Sequence, residues 1–314
     1  MVRSLWSAAT GMNAQQTNVD TIANNLANVN TVGYKSQVAQ FKSLLYQTLQ
    51  TATTTANGDP KPTSSQVGLG VRTSSINNIF TQGAMLASQS TSAVAIEGAG
   101  FFAIQGQNET FYTRNGDFVW AIMGNNLMLT TSDGSAVLDT QNRPIVIDVA
   151  TVRSAYTTAF NAYLEEWRRN NTNADGTLKN PNAEEPKMAD LNTLSLVSSQ
   201  ITIDAKGEFS YYFGGLDAPL NQQIGLFQFS NVGGLERLGN SVYRPTDASG
   251  AAQNEATTAG LKRSSVAQGY LEGSNVYVAD EMVNLIVAQR AYEMNSKAIT
   301  TTDEMMQTAN NLKR

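Results

Sequence analysis

Leu5, Met12, Val19 and Leu26 recur every seven residues, and Ala8, Gln15, Ile22 and Val29 follow three behind. That is the a/d pattern of an α-helix packed along a seam, with one polar d position in nearly four heptads. No Gly or Pro interrupts it after Gly11, and Asn30 and Gly33 supply the chemistry that stops a helix. At about 1.5 Å per residue such a helix is roughly 40 Å long. The C-terminal end behaves alike. Leu285, Tyr292, Ile299 and Met306 are seven apart, Ala288, Asn295, Thr302 and Ala309 follow three behind, and no Gly or Pro occurs after Gly273. A flanking row of Ala291, Ala298, Met305 and Leu312 widens this stripe, which predicts that the C-terminal helix touches more than one partner.

The outer faces of these helices are unusual. A solvated coiled coil carries Glu and Lys there, yet between Arg3 and Lys35 the only charge is Asp20. The outer positions of the first helix hold Asn24, Asn25, Asn28, Ala23, Ala27, Gln16 and Thr17. Asn is a poor helix former on a wet surface. Small uncharged amides fit a face that packs on other helices and hydrogen-bonds across them. Trp6 and Tyr292 read as packing anchors in the same surface, not as ligand-binding residues.

Between about Val71 and Tyr270 the period changes. Short β-branched and aromatic runs appear at Ser92–Ile96, Phe101–Ile104, Phe111–Thr113, Phe118–Ile122, Pro144–Val149, Gln200–Ile203, Glu208–Phe213 and Gln223–Phe229. Gly98–Gly100, Asn115-Gly116, Asp133-Gly134, Lys206-Gly207 and Gly233-Gly234 punctuate them. With no helices between the strands, this predicts an antiparallel all-β middle. Thr48 to Gln66 is Thr/Ser/Gln-rich with Gly58, Pro60 and Pro62, which fits a flexible linker or an extended hairpin. Ala155 to Asp190 reads as a short amphipathic helix followed by a polar loop, inserted between two strands. The expected fold class is therefore α+β, a discontinuous coiled coil of N- and C-terminal helices plus an antiparallel all-β middle domain. The expected divisions are 1–47 with 272–314 for the helical domain, 48–70 for the extended stretch, and 71–271 for the β-rich domain with its insertion at about 155–190.

Composition narrows the function. The 314 residues carry a net charge of −5, with 21 Lys and Arg against 26 Asp and Glu. That disfavours a nucleic-acid binder, which needs a basic stripe. There is no His and no Cys. Their absence removes His- and Cys-based catalysis, disulfides and the usual transition-metal and haem ligands together. What remains does not assemble into a site. Glu165-Glu166 and Glu184-Glu185 are adjacent pairs, whereas a glycosidase needs two carboxylates about 5–10 Å apart converging across a cleft. Nothing places Ser4, Ser7 and Lys35 together. Gly68-Leu69-Gly70 is too short for a phosphate loop and opens no helix. Asp133, Asp139 and Asp148 lack calcium-loop spacing. The expectation is no enzyme, no metal and no cofactor. The first twelve residues lack the apolar run of a cleaved signal peptide, and no stretch approaches 18 apolar residues, so no membrane span is expected.

Specific runs point to a family. Ala23-Asn24-Asn25-Leu26-Ala27-Asn28-Val29-Asn30-Thr31-Val32-Gly33-Tyr34-Lys35 resembles the N-terminal signature of bacterial flagellar rod and hook axial proteins. Arg3-Ser4-Leu5-Trp6, Ala9-Thr10-Gly11-Met12 and Leu44-Leu45-Tyr46-Gln47-Thr48 resemble its distal-rod branch. Ala95–Phe102, Tyr112–Phe118 and Glu281–Lys297 fit as well, so the resemblance covers both termini and most of the middle. It implies a flagellar basal-body subunit whose terminal helices line a tube, with the β domain outside and copies stacked helically around a central channel. The implied partners are further copies of the chain in a helical homopolymer, together with proximal rod proteins, the hook protein and basal-body ring proteins. The implied role is a distal rod that transmits torque from motor to hook and encloses the export channel. The implied location is extracytoplasmic, in the periplasm and cell-wall zone, reached through the flagellar type III apparatus without a cleaved signal peptide. Gly33 would let the chain turn out of the tube with φ > 0. Thr48 to Gln66 lies where the distal-rod branch carries an extra stretch associated with a straight, stiff tube. The departure from the family pattern is Ala155–Asp190, which is longer than expected. The competing readings are a hook-type or proximal-rod paralogue, a carboxylate-based cell-wall glycan hydrolase and a secreted coiled-coil adhesin.

Overall fold

The computed structural model describes residues 2–50, 65–106, 109–171, 186–189 and 196–312. Three long helices, α1 (Val2–Ala27), α2 (Val149–Asn171) and α3 (Val278–Asn311), accompany short strands that pair antiparallel throughout. The chain is thus α+β. It divides into two compact units, Met1–Asn30 with Lys35–Thr81 and Asn275–Arg314, and Thr31–Tyr34 with Gln82–Ser274.

The first unit holds α1, α3 and two ribbons. Strand Gln37–Ser43 pairs with Val71–Asn78, with a shift of register at Gln40/Phe41. Strand Tyr46–Gln50 pairs antiparallel with Ser65–Gly68, and the rest of the stretch expected as a linker or hairpin, 51–64, lies outside the described residues. The division after Thr81 therefore leaves Val71–Asn78 with the helices, further along the chain than the change of period at Val71 indicated. The reason is pairing. The partner of Val71–Asn78 begins ten residues after the end of α1, so the ladder binds the strand to the helical unit.

The second unit is built from sheets. A six-stranded sheet runs in the order Glu236–Gly239, Val242–Arg244, Thr110–Thr113, Phe101–Gln105, Leu226–Gln228, Gln253–Asn254. Two three-stranded sheets, Val146–Asp148/Asn126–Thr131/Phe118–Met123 and Ile201–Ile203/Glu208–Phe213/Leu216–Gln223, add their inner faces to one core. Phe102 and Phe118 meet edge to face at 5.0 Å, surrounded by Leu129, Ile145 and Tyr211. Alternation creates this core: Ile201 and Ile203 point in while Thr202 points out. Pro219 is tolerated because Leu216–Gln223 is an edge strand with one ladder partner.

The insertion begins earlier than the sequence pattern indicated. Val149, expected to end a strand, opens α2, because the Asp148 carboxylate accepts the Thr151 N–H as an N-cap. Val152, Tyr156 and Phe160, four residues apart, bury one face of the helix. Tyr156 and Phe160 pack over Ala218 and Phe213 of the neighbouring sheet. The tip of the insertion, 172–185, lies outside the described residues.

The core assignment sets a contrast in stability. Leu129 is fully buried, and Leu129→Ala is expected to destabilise the second unit by about 3 kcal/mol. Ile122 is exposed near the end of the adjacent strand, beyond the packed part of the same face, and Ile122→Asp is expected to stay within about 0.5 kcal/mol. Urea unfolding followed by far-UV circular dichroism measures both.

Candidate assembly surface

The two terminal helices pack on each other, and three contacts fix their sense. Asn25 hydrogen-bonds Glu281; Gln16 and Val19 share a cleft of about 360 Å³ with Gln289 and Tyr292; a Cβ placed on Gly11 would lie 2.9 Å from Asn295 Nδ2. As numbers fall along α1 they rise along α3, so the pair is antiparallel. Glycine at 11 admits the close approach. It was legible only as the residue after which the heptads run uninterrupted.

On α3 the expected seam faces inward. Ala288 and Thr302 are buried, and Leu285, Asn295, Ile299 and Met306 are half-buried between and beside them. On α1, Ala8 and Ile22 are buried, while Leu5, Met12, Val19 and Leu26 are half-buried. Ala14 and Thr21, outside the heptad rows, are buried as well, so the covered face is turned partly away from the a/d line. Trp6 (64% exposed) and Tyr292 (41%) remain open in the single chain. Val29 lies past the end of α1, since the helix stops at Ala27.

The three asparagines do different work. Asn28 Nδ2 donates to the main-chain oxygen of Asn24 at 2.8 Å, satisfying a carbonyl of the last helical turn. Asn24 reaches the Gln37 side chain at 3.3 Å. Asn25 is buried. Its Nδ2 donates to the Gln37 carbonyl at 2.8 Å and to Glu281 Oε1 at 2.9 Å, and its Oδ1 accepts the Gln37 N–H at 2.8 Å. Expected on an outer face, Asn25 instead joins α1, the first strand and α3 of its own chain.

What stays uncovered is apolar. Val283, Val287, Met294, Ala298, Met305 and Leu312 form a second stripe along α3, a quarter-turn or more around from the seam, and all are exposed. It takes in Ala298, Met305 and Leu312 of the expected flanking row, while the fourth member, Ala291, is half-buried. Most of the large hydrophobic side chains exposed among the described residues lie in the helical unit, although it is the smaller of the two. A monomer seldom leaves so large an apolar area open.

Sequence reasoning missed the polar groups that hold the chain where it leaves the helices. In the first unit the fully buried Lys35 donates from Nζ to the Thr81 carbonyl at 2.7 Å. Asn275 accepts from Ser36 N and donates to Ile79 O and Thr81 Oγ1. In the second unit Gly33 sits at φ +67°, the positive φ expected of it, and its N–H donates to the Glu272 carbonyl at 2.7 Å, a partner the sequence did not indicate. Tyr34 lies under the Arg237 guanidinium, 4.4 Å from the ring centre. Arg114 and Glu272 form a buried ion pair at 3.4 Å, and Arg114 also donates to the Gly98 carbonyl. Burial pulls the Arg114 pKa below its ordinary value, and Glu272 opposes that pull. Of these, Gly33, Tyr34 and Lys35 lie in the N-terminal signature run and Arg114 in the Tyr112–Phe118 run, while Arg237, Glu272 and Asn275 lie outside every run singled out.

None of this resembles a reaction centre. Glu165 and Glu166 stand exposed on adjacent positions of α2, and Glu184-Glu185 lies outside the described residues. Among the described residues no cluster of acidic side chains could hold a metal, and no helix is long and apolar enough to cross a membrane.

Comparison with known proteins agrees with the geometry. Residues 5–35 match the family model of flagella basal body rod proteins. Residues 95–211 match the flagellar hook protein FlgE/F/G D1 domain, and 267–312 the flagellar basal body rod FlgEFG protein C-terminal region. The flagellar basal-body rod protein FlgG of Borreliella burgdorferi is 38% identical over the whole of both chains. That of Bacillus subtilis is 34% identical, again over the whole of both. The flagellar hook protein FlgE of Borreliella burgdorferi is 25% identical over 98% of each chain.

Gly33 provides a test of the turn. A side chain there would combine a left-handed backbone with a Cβ 2.6 Å from the main-chain nitrogen of Asn115. Gly33→Ala is expected to cost at least about 2 kcal/mol. The loss should appear as a lower urea midpoint for the second unit.

Proposed function

This chain belongs to the FlgG family of flagellar basal-body rod proteins, and we propose on that premise that it is a structural subunit of the distal rod, polymerising through its terminal helices. The observation that carries the assembly mechanism is the uncovered apolar stripe of α3 beside a seam already closed by α1. Helices in proteins draw most of their stability from packing of an apolar face and little from propensity alone. Each large side chain of the stripe that becomes fully buried against a further copy contributes roughly 1.5–3 kcal/mol. A few such contacts exceed what the isolated pair lacks, so assembly and helix ordering support each other.

In this reading Leu5, Met12, Val19, Ile22, Leu26, Leu285, Asn295, Ile299 and Met306 close the seam. Trp6 and Tyr292 supply aromatic anchors to neighbours, and Asn24, Asn25, Asn28 and Val29 set the exit of α1 with Gly33. The supercoiled seam forms the wall of a tube, the β-rich unit decorates it, and the lumen serves as the export channel. Stiffness for torque transmission comes from many shared interfaces per subunit. Proximal rod, hook and basal-body ring proteins are the neighbours at its ends and surface. The chain reaches this extracytoplasmic position through the flagellar export apparatus. It acts by packing, without cofactor or catalysis.

Two outcomes test the reading. Val19→Asp or Ile299→Asp places a carboxylate in the seam and is expected to abolish incorporation into filaments seen by electron microscopy while leaving the β-rich unit folded. Normal motility in cells carrying either variant contradicts the assignment. Limited proteolysis of the free chain is expected to cut within 2–27 and 278–311 before it cuts 82–274, and assembly should protect those ends. Equal resistance of all segments at micromolar monomer removes the link between ordering and assembly.

A further inference from the structure

Asn25 and Glu281 form a junction that the packing of apolar surfaces does not require. The Asn25 amide is held in place by the first strand, since its Oδ1 and one N–H grip the N–H and carbonyl of Gln37. Its second N–H points at the carboxylate of Glu281, in the first turn of α3, at 2.9 Å. Glu281 is only partly exposed, and among the described residues no cation stands against its carboxylate. The charged neighbour acting on it is Asp280 of its own helix, whereas α1 and the first strand present the uncharged Asn25 and Gln37. A carboxylate here gains one hydrogen bond from a neutral amide and loses hydration.

We propose that Asn25 and Glu281 are a latch of deliberately limited strength, through which docking of the first turns of α3 depends on prior capture of Asn25 by the first strand. The order follows from the geometry. Without Gln37, the amide loses the two bonds that aim its second N–H at Glu281. With Gln37 in place, the donor is preset and α3 closes on it. The uncompensated carboxylate keeps that closure weak in the free chain.

The pH dependence has a definite sign. Burial, with Asp280 assisting, raises the Glu281 pKa above the ordinary carboxylate value, and the Asn25 hydrogen bond lowers it by less. A carboxyl whose pKa is raised on docking contributes most when protonated, and that contribution is lost as pH rises through the docked-state pKa. Docking of α3 therefore tightens as pH falls toward the ordinary carboxylate range. Glu281→Gln keeps an acceptor oxygen for Asn25 without the charge and should imitate the acid state.

Hydrogen exchange of the full-length monomer tests the latch, read as protection factors for 281–288 and for 37–43. Glu281→Gln is expected to raise protection of 281–288 about five- to tenfold at pH 7.5, the equivalent of roughly one hydrogen bond. It should also abolish the gain that the wild type shows as pH is lowered from 7.5 into the ordinary carboxylate range. Asn25→Ala should lower protection of both segments, and in that background Glu281→Gln should no longer raise it. Glu281→Ala should loosen 281–288 while sparing 37–43. Independent, additive effects of Asn25→Ala and Glu281→Gln overturn the proposal, as does an α3 whose protection ignores pH. Should Asn25→Ala fail to fold, Asn25→Ser and the pH comparison of wild type with Glu281→Gln decide the matter alone.

Discussion

The closure of α1 on α3 is the contact on which the helical unit depends, because it joins segments separated by most of the chain. Residue 25 meets residue 281, and everything between has to be threaded out and back before that pair can form. Bringing such distant ends together costs loop entropy, which grows slowly with length but is largest here. The compact β-rich unit lowers that cost by returning the chain. Glu272 accepts from Gly33 through its main chain, which places the outgoing and incoming strands side by side within that unit.

The polar groups at the chain crossings follow the same logic. Lys35, Asn275, Arg114 and Glu272 are all buried, and burying such groups is favourable only when their hydrogen bonds are completed. They gain little stability over well-packed apolar replacements. What they supply is selection. Asn275 can meet Ser36 N, Ile79 O and Thr81 Oγ1 together in one arrangement of three separate segments, so a misthreaded chain leaves several donors unsatisfied. Tyr243 shows the same environment in another form, since burial lifts its phenol pKa to about 12.

Periodicity made the helices and the antiparallel middle legible, because both signals are local. Much of the α3 seam could be read from the period, since Leu285, Ala288, Asn295, Ile299 and Thr302 face one way in any helix of that sequence, but Tyr292 and Ala309 of the same rows stay exposed. Pairing partners were not legible. Val71–Asn78 looks like any other strand, and nothing within it says that its ladder runs to Gln37–Ser43. Asn24, Asn25 and Asn28 are chemically alike. Only the position of Gln37 distinguishes the buried clamp from the helix-ending cap. The onset of α2 was misplaced for the opposite reason: Val146, Ile147 and Val149 carry strong β propensity, and one carboxylate at Asp148 overrode it.

Apolar exposure and weak closure are two consequences of one design. A helix pair that buried all of its hydrophobic surface within one chain would be stable and would have nothing left to offer a neighbour. One that buried none would not fold far enough to present a defined surface. α3 lies between these limits, with Ala288 and Thr302 sealed against its partner and Val283, Val287 and Met294 left open. Because the covered and uncovered faces share one rigid helix, ordering either face orders the other. In the proposed assembly, a copy docking on an existing end would meet a face already ordered and so would lose less ordering entropy than two free chains meeting, the condition under which end growth is favoured.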